Sequence, residues 1–191
     1  MARKTVRAIF ASLFGSNERR RRADRLLAAV TAQARRPVFY ADLGVPDTLD
    51  GRFDLMALYG SLAFRALGTK GAEGAILAQD TLDLMFSAFD DALRSLGVGD
   101  NGIPRRVKTM GKAYIGRAAA YDAAIRAGDG AALEDAILRN VYRGTAPGGV
   151  GARRLARFAM AEAAALAALP VARFQAGDLG ERPVDPAEVA A

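Results

Sequence analysis

The sequence contains no cysteine, no histidine and no tryptophan in its 191 residues. The missing cysteine removes disulfides, thiolate metal sites, iron–sulfur clusters and thiol nucleophiles. The missing histidine removes the imidazole base of serine-type triads and the commonest transition-metal ligand. Any catalysis would have to rest on Asp, Glu, Lys, Arg, Tyr, Ser or Thr. Long apolar runs are lacking too, since no stretch reaches the ~18 uninterrupted apolar residues of a spanning helix. Strand-like alternation is absent, as is any internal repeat of about 20–50 residues.

What remains is 51% hydrophobic and 25% charged, the composition of an ordinary soluble protein with one substantial core. The net charge of +6 is unevenly spread. Residues 1–36 carry ten basic groups against two acidic ones, whereas the rest of the chain carries 17 against 19. The basic character therefore belongs to an N-terminal arm and not to the body.

Within that arm Val6, Ile9, Phe10, Leu13 and Phe14 recur at helical spacing, away from Arg3, Lys4 and Arg7. A Gly-Ser-Asn break is expected at residues 15–17. A second helical stretch then places Leu26, Leu27, Val30 and Ala34 on one side, with Arg19, Arg20, Arg21 and Arg22 in its first turns. Arginines there oppose the helix dipole, so the run is expected to fray or to take an anionic partner. A secretory signal fits poorly, because the apolar patch is short and arginines stand where a cleavage site belongs. Phe10, Phe14 and Arg19 to Arg22 suit an anionic membrane surface or ribosomal RNA. The alternative is that residues 5–14 and 23–34 dock on the body and the arginines are merely solvated.

In the body, residues 37–50 read as a loop ending in cap-like residues. A helix apolar nearly all round follows from Phe53 to Leu67, which belongs at the centre of a bundle. The next helix, about 72–96, has a core face of Leu82, Met85 or Phe86, Phe89, Leu93 and Leu96. Its other face is an acidic stripe of Asp80, Asp83, Asp90 and Asp91. Pro104 opens a helix with an apolar stripe of Val107, Met110, Tyr114, Ala118, Tyr121 and Ile125 and a basic patch of Arg105, Arg106, Lys108 and Lys112. Another helix runs to about Tyr142, Gly144–Gly151 reads as a loop, and residues 152–169 form an alanine-rich helix. The expected fold is all-α, a single bundle of about six helices. It divides into the arm (1–36), a helical domain (37–143), a loop and packed helix (144–169) and an extended tail (170–191).

Gly97-Val98-Gly99-Asp100-Asn101-Gly102 spells a dinucleotide fingerprint, but that motif needs a preceding strand. A helix precedes it here, and a helix-to-helix turn accounts for the glycines. The acidic stripe could hold a hard cation, dock a basic partner or simply face water; a di-metal bundle site would also want histidine. The basic patch lacks the interleaved aromatics of a nucleic-acid surface, and no helix-turn-helix spacing supports specific DNA binding. No second group stands beside Lys112 or Tyr114 to make a nucleophile–base pair. A non-enzyme without cofactor or metal is the expectation.

Several ordered segments resemble the ubiquinol–cytochrome c chaperone family, in its bacterial branch. They are the string from Leu43 to Met56 (LGVPDTLDGRFDLM), Met85-Phe86 with Asp90 to Arg94, and Gly97 to Asp100. Arg106 to Met110, then Tyr114 to Arg117 with Ala120 to Asp122, and finally Arg139 to Tyr142 complete the series. Gly102 to Arg105 departs from the expected glycine/basic turn. The resemblance spans about residues 39–143. It implies an assembly factor that binds newly made cytochrome b, or another hydrophobic membrane client, during biogenesis of a cytochrome bc1-type respiratory complex. It also implies a place in the bacterial cytoplasm, peripheral to the inner membrane, with a ribosome contact as in some lineages. On this reading Asp80, Asp83, Asp90 and Asp91 meet the positive residues that flank a membrane client. The rival reading is a membrane- or ribosome-associated helical module without a respiratory client.

Overall fold

Helical periodicity governs the chain throughout the computed structural model, which describes residues 2–95, 102–144 and 148–184, with the backbone alone over 2–16. Six long helices form the bundle: α1 (Ala2–Ala34), α3 (Leu49–Gly68), α4 (Gly71–Ser95), α5 (Ile103–Ala127), α6 (Gly130–Asn140) and α7 (Gly148–Ala168). Two helices of about one turn, α2 (Pro37–Ala41) and α8 (Val171–Ala176), complete the order, and no strand occurs among the described residues. The all-α bundle is as expected.

The all-round apolar helix α3 is the axle. Fourteen of its 20 residues are buried, and it packs against α1, α4, α5 and α7. It starts at Thr48, whose hydroxyl accepts from the Gly51 N–H at 3.1 Å, while Asp50 lies at the favourable end of the dipole. Gly51 is obligatory, because a Cβ there would collide with the Pro46 carbonyl oxygen. The turn before α3 is thereby clamped onto its first residues.

The expected break at residues 15–17 is not present, and α1 runs unbroken through Gly15. The arginine run consequently lies in mid-helix, away from the dipole end that was expected to unsettle it. Part of its charge is met within the chain: Arg22 donates to Glu18 at 3.3 Å, which also accepts from Arg25 at 3.1 Å, and Arg19 reaches Asp80 on α4, while Arg20 and Arg21 are exposed. The second half of α1 is core, with Ala23, Leu26, Val30 and Ala34 fully buried. Residues 23–34 thus dock on the body.

Two further segments are more ordered than expected. Within the 37–50 loop, α2 begins at Pro37 and buries Phe39 edge-on to Phe158 of α7, with ring centroids 5.3 Å apart. Helix α7 starts at Gly148, inside the segment expected to be loop. Gly151 lies there against the Leu43 carbonyl, which also accepts a 2.8 Å hydrogen bond from the Tyr142 hydroxyl. Only a residue without a side chain fits that approach.

As far as the described residues reach, to 184, the C-terminal segment is docked on the body and is not a free extended tail. Phe174 of α8 is fully buried, and residues 177–184 continue without regular structure along α1 and α7. Gln33 donates to the Gly180 carbonyl at 2.7 Å and Arg36 to the Arg182 carbonyl at 2.8 Å. Arg182 in turn reaches Glu162, a buried carboxylate on α7 that also accepts a 2.6 Å bond from the Tyr59 hydroxyl. Each oxygen of that buried charge has a donor, as burial requires. The glycine fingerprint falls almost wholly outside the described residues.

Candidate functional site

The first turns of α3, the end of α4 and the first half of α5 diverge enough to leave an open groove of about 520 Å³. Helix α3 contributes Leu49, Asp50 and Phe53, and α4 contributes Leu93. Helix α5 contributes Arg106, Thr109, Ala113 and Arg117 at three- and four-residue spacing, with Gly102, Arg105 and Met110 beside them. Arg143, just beyond α6, completes the lining. The floor is apolar, and Leu49 stays 49% exposed at the rim. The groove is in the size range of ligand sites, about 300–1,000 Å³.

An aromatic wall backs the floor. Phe53 meets Phe89 edge-on at 5.1 Å, Phe89 meets Phe86 at 6.0 Å, and Phe86 meets Tyr114 at 5.8 Å. Each contact has the edge-to-face geometry that aromatic quadrupoles favour, so the wall holds α3, α4 and α5 at a fixed spacing. The Arg117 guanidinium lies 5.1 Å from the Phe53 ring centroid, a cation–π contact on the groove side.

Asp54, next to Phe53 in α3, is wholly buried. Arg117 approaches it at 2.9 Å and Arg143 at 3.3 Å, and Arg143 also stands 3.3 Å from Asp50. Burial dominates this carboxyl and pushes it up to about 6, while the attraction of Arg117 and Arg143 pulls in the opposite direction. The pairing is close but imperfectly aligned: the oxygen facing Arg117 and the Arg117 Nη1 both lack a hydrogen bond of good geometry. Arg143 takes a left-handed backbone, φ 55°, which is uncommon for a residue with a side chain. The fold thus holds two arginines at the groove around one incompletely satisfied charge.

The residues marked from sequence fall in several places. Arg105 and Arg106 line the groove and are exposed. Lys108 and Lys112 are exposed on α5 outside its lining. None of the four acidic residues of α4 lines it. Asp80 is held by Arg19 through two bonds of 3.0 and 2.7 Å, so residues expected on separate surfaces are one ion pair. Asp90 pairs with Arg94 at 2.9 Å, and Asp83 accepts from the Gln79 amide at 2.7 Å. Asp91 is exposed. Arg19, Arg20, Ala23, Asp80, Asp83 and Leu84 line a smaller cleft of about 310 Å³ between α1 and α4. Arg21 is exposed, and Arg22 lies 3.7 Å from Glu73. The side chains of Phe10 and Phe14 lie outside the described residues.

Sequence reasoning missed Phe53, Asp54, Arg117 and Arg143 as a group. One signal was available: Asp54 is the lone acidic residue between Phe53 and Leu67, and a carboxylate on an all-round apolar helix demands a buried partner. Among the described residues no cluster of three or more Asp or Glu is placed to hold a metal ion. No described helix is long and apolar enough to cross a membrane.

Two comparisons place this geometry among known proteins. A family model described as ubiquinol-cytochrome C chaperone matches residues 41–181, a span that includes every element of the groove and extends through α7 and α8. The crystal structure of the Cbp3 homolog from Brucella abortus is similar with a TM-score of 0.81. Its sequence is 31% identical, and the match covers 93% of this chain and 98% of that one. No curated protein sequence matches the chain.

Proposed function

The chain belongs to the ubiquinol-cytochrome C chaperone family, and from that premise we propose that it is a non-enzymatic assembly chaperone that binds newly made cytochrome b. Its product is a cytochrome bc1-type respiratory complex. The carrying observation is that the family match spans the whole of the α3–α4–α5 groove. Leu49, 49% exposed beside partly exposed Met110 and Ala113, supports the reading, because a chaperone must offer its client an apolar surface that its own core has not consumed. The work is done at the cytoplasmic side of the inner membrane. Exposed Arg20 and Arg21 support that placement, since basic segments are drawn to anionic lipid.

The test is in-cell photo-crosslinking with p-benzoylphenylalanine at Thr109 in the groove and, separately, at Asp83 on α4. Recovery of cytochrome b from the groove position, together with loss of b-type haem absorbance in membranes of a strain lacking the chain, is the expected result. Recovery of soluble enzymes alone, or a normal bc1 complex without the chain, overturns the proposal.

A further inference from the structure

We propose that the α3–α4–α5 groove receives an apolar segment bearing carboxylates, and not one flanked by lysine and arginine. This rests on the chaperone reading and names the chemistry of the client segment at that site. The opposite chemistry would follow from the acidic stripe of α4, but that stripe is outside the groove and two of its members are held by Arg19 and Arg94.

The charge of the groove comes from Arg105, Arg106, Arg117 and Arg143. Among the described residues two carboxylates oppose them: Asp54, engaged by both Arg117 and Arg143, and Asp50, engaged by Arg143. Arg105 and Arg106 have no carboxylate within ion-pair distance among the described residues. They occupy the first turn of α5, which has no acidic residue, and its N-cap Gly102 supplies no side-chain acceptor. The positive end of the helix dipole therefore adds to the two guanidinium groups. A carboxylate arriving over Phe53 would meet fork-shaped donors beside an apolar floor, where charge-assisted hydrogen bonds are strongest. An ammonium or guanidinium arriving there would meet like charge, which costs affinity and excludes wrong partners.

The volume sets the scale of the occupant. About 520 Å³ accepts a few side chains, not the full width of a membrane helix. The fitting partner is a short stretch, such as a helix end or connecting loop, where apolar residues give way to Asp or Glu.

The experiment uses the full chain and two fluorescein-labelled peptides of the same Leu/Phe-rich sequence, one carrying two glutamates and the other two lysines, read by anisotropy. The glutamate peptide is expected to bind about tenfold tighter than the lysine peptide. The double variant Arg105→Glu/Arg106→Glu is expected to erase or invert that preference. Lys108→Glu/Lys112→Glu, an equal charge change outside the groove, is expected to leave it in place. Both variants are at exposed positions, and unchanged thermal unfolding confirms the fold. Equal binding of the two peptides overturns the inference, as does loss of preference in both double variants, which would reduce it to diffuse attraction. Capture of phosphatidylglycerol vesicles, but not of the glutamate peptide, through Arg105 and Arg106 also overturns it. The two proposals fail separately. If position 109 still crosslinks cytochrome b in the Arg105→Glu/Arg106→Glu chain, the charge inference falls and the function stands. If cytochrome b is never recovered but the glutamate preference holds, the function falls and the groove chemistry stands.

Discussion

Replacing Asp54 by asparagine keeps the shape of the side chain and removes its charge. The carboxyl titrates near 6 in the fold, against an ordinary value of 3.8, because its burial outweighs the attraction of Arg117 and Arg143. The fold therefore holds this proton more tightly than the unfolded chain does. Asp54 contributes its full stability below about pH 4 and loses it as pH rises through about 6. The linked free energy is about 3 kcal/mol, since each unit of displacement is worth about 1.4 kcal/mol. The groups facing Asp54 are Arg117 from α5, Arg143 beyond α6 and Asp50 one turn earlier on α3. The two arginines stay charged across this range, leaving Asp54 the group whose state changes most. The assay is urea unfolding of the native chain and Asp54→Asn at pH 4.5 and pH 8, with the difference in unfolding free energy compared between the two. Every other titrating group is common to both proteins, so the change in that difference isolates Asp54. Because pH 4.5 already lies above the unfolded value of 3.8, the native chain should lose about 2 of those 3 kcal/mol relative to the variant on going to the higher pH. If it gains instead, the ion pair dominates burial and the reasoning about the floor of the groove is wrong. A flat difference refutes it equally.

Three more outcomes follow from the packing. Gly151→Ala should destabilise by about 2 kcal/mol, because the new methyl meets the Leu43 carbonyl and α7 must shift; chemical denaturation reads this directly. Arg182→Ala should cost about 2 kcal/mol at neutral pH by removing a donor from buried Glu162 while Tyr59 keeps its bond, and Arg182→Lys should recover part of the loss. Deleting residues 1–22 should abolish flotation with phosphatidylglycerol liposomes at low salt while leaving the core residues Ala23 to Ala34 in place. Equal flotation of both chains would remove the arm from membrane binding, and co-sedimentation with ribosomes without membrane would reassign it to RNA.

The helices were legible because their causes are local. Thr48 before Leu49 and Asp129 before Gly130 are N-caps whose side chains accept from Gly51 and Ala132. Gly128 ends α5 in the left-handed conformation. The apolar face of α3 places it at the centre without knowledge of any partner. The errors fell where the cause is distant. A glycine at 15 costs a helix about 1 kcal/mol, so a break was the local expectation. Arg19 binding Asp80, 61 residues away, lies beyond a local reading. Residues 144–151 look like loop for the same reason: the carbonyl that fits Gly151 belongs to Leu43. The segment after Pro170 has few large apolar groups, yet Phe174, Leu179 and Val184 suffice when α1 and α7 already offer a surface.

Charge runs follow the same rule, with consequences for function. Four arginines in sequence read as a reserve of free positive charge, and four aspartates at helical spacing as a reserve of negative charge. In the fold each run spends part of itself on the other: Arg19 and Asp80 are joined across α1 and α4, and Arg22 approaches Glu73. Arg105 and Arg106, which a count of the whole chain does not distinguish, lie at the positive end of α5 beside an open apolar floor. The charge available to a partner is what remains after internal pairing, and at the groove that remainder is positive. On the groove chemistry proposed above, a client whose flanks are positive would avoid this floor or meet it through an intervening acidic stretch. The order of acidic and apolar residues in the client, more than its overall hydrophobicity, would then set where it is held.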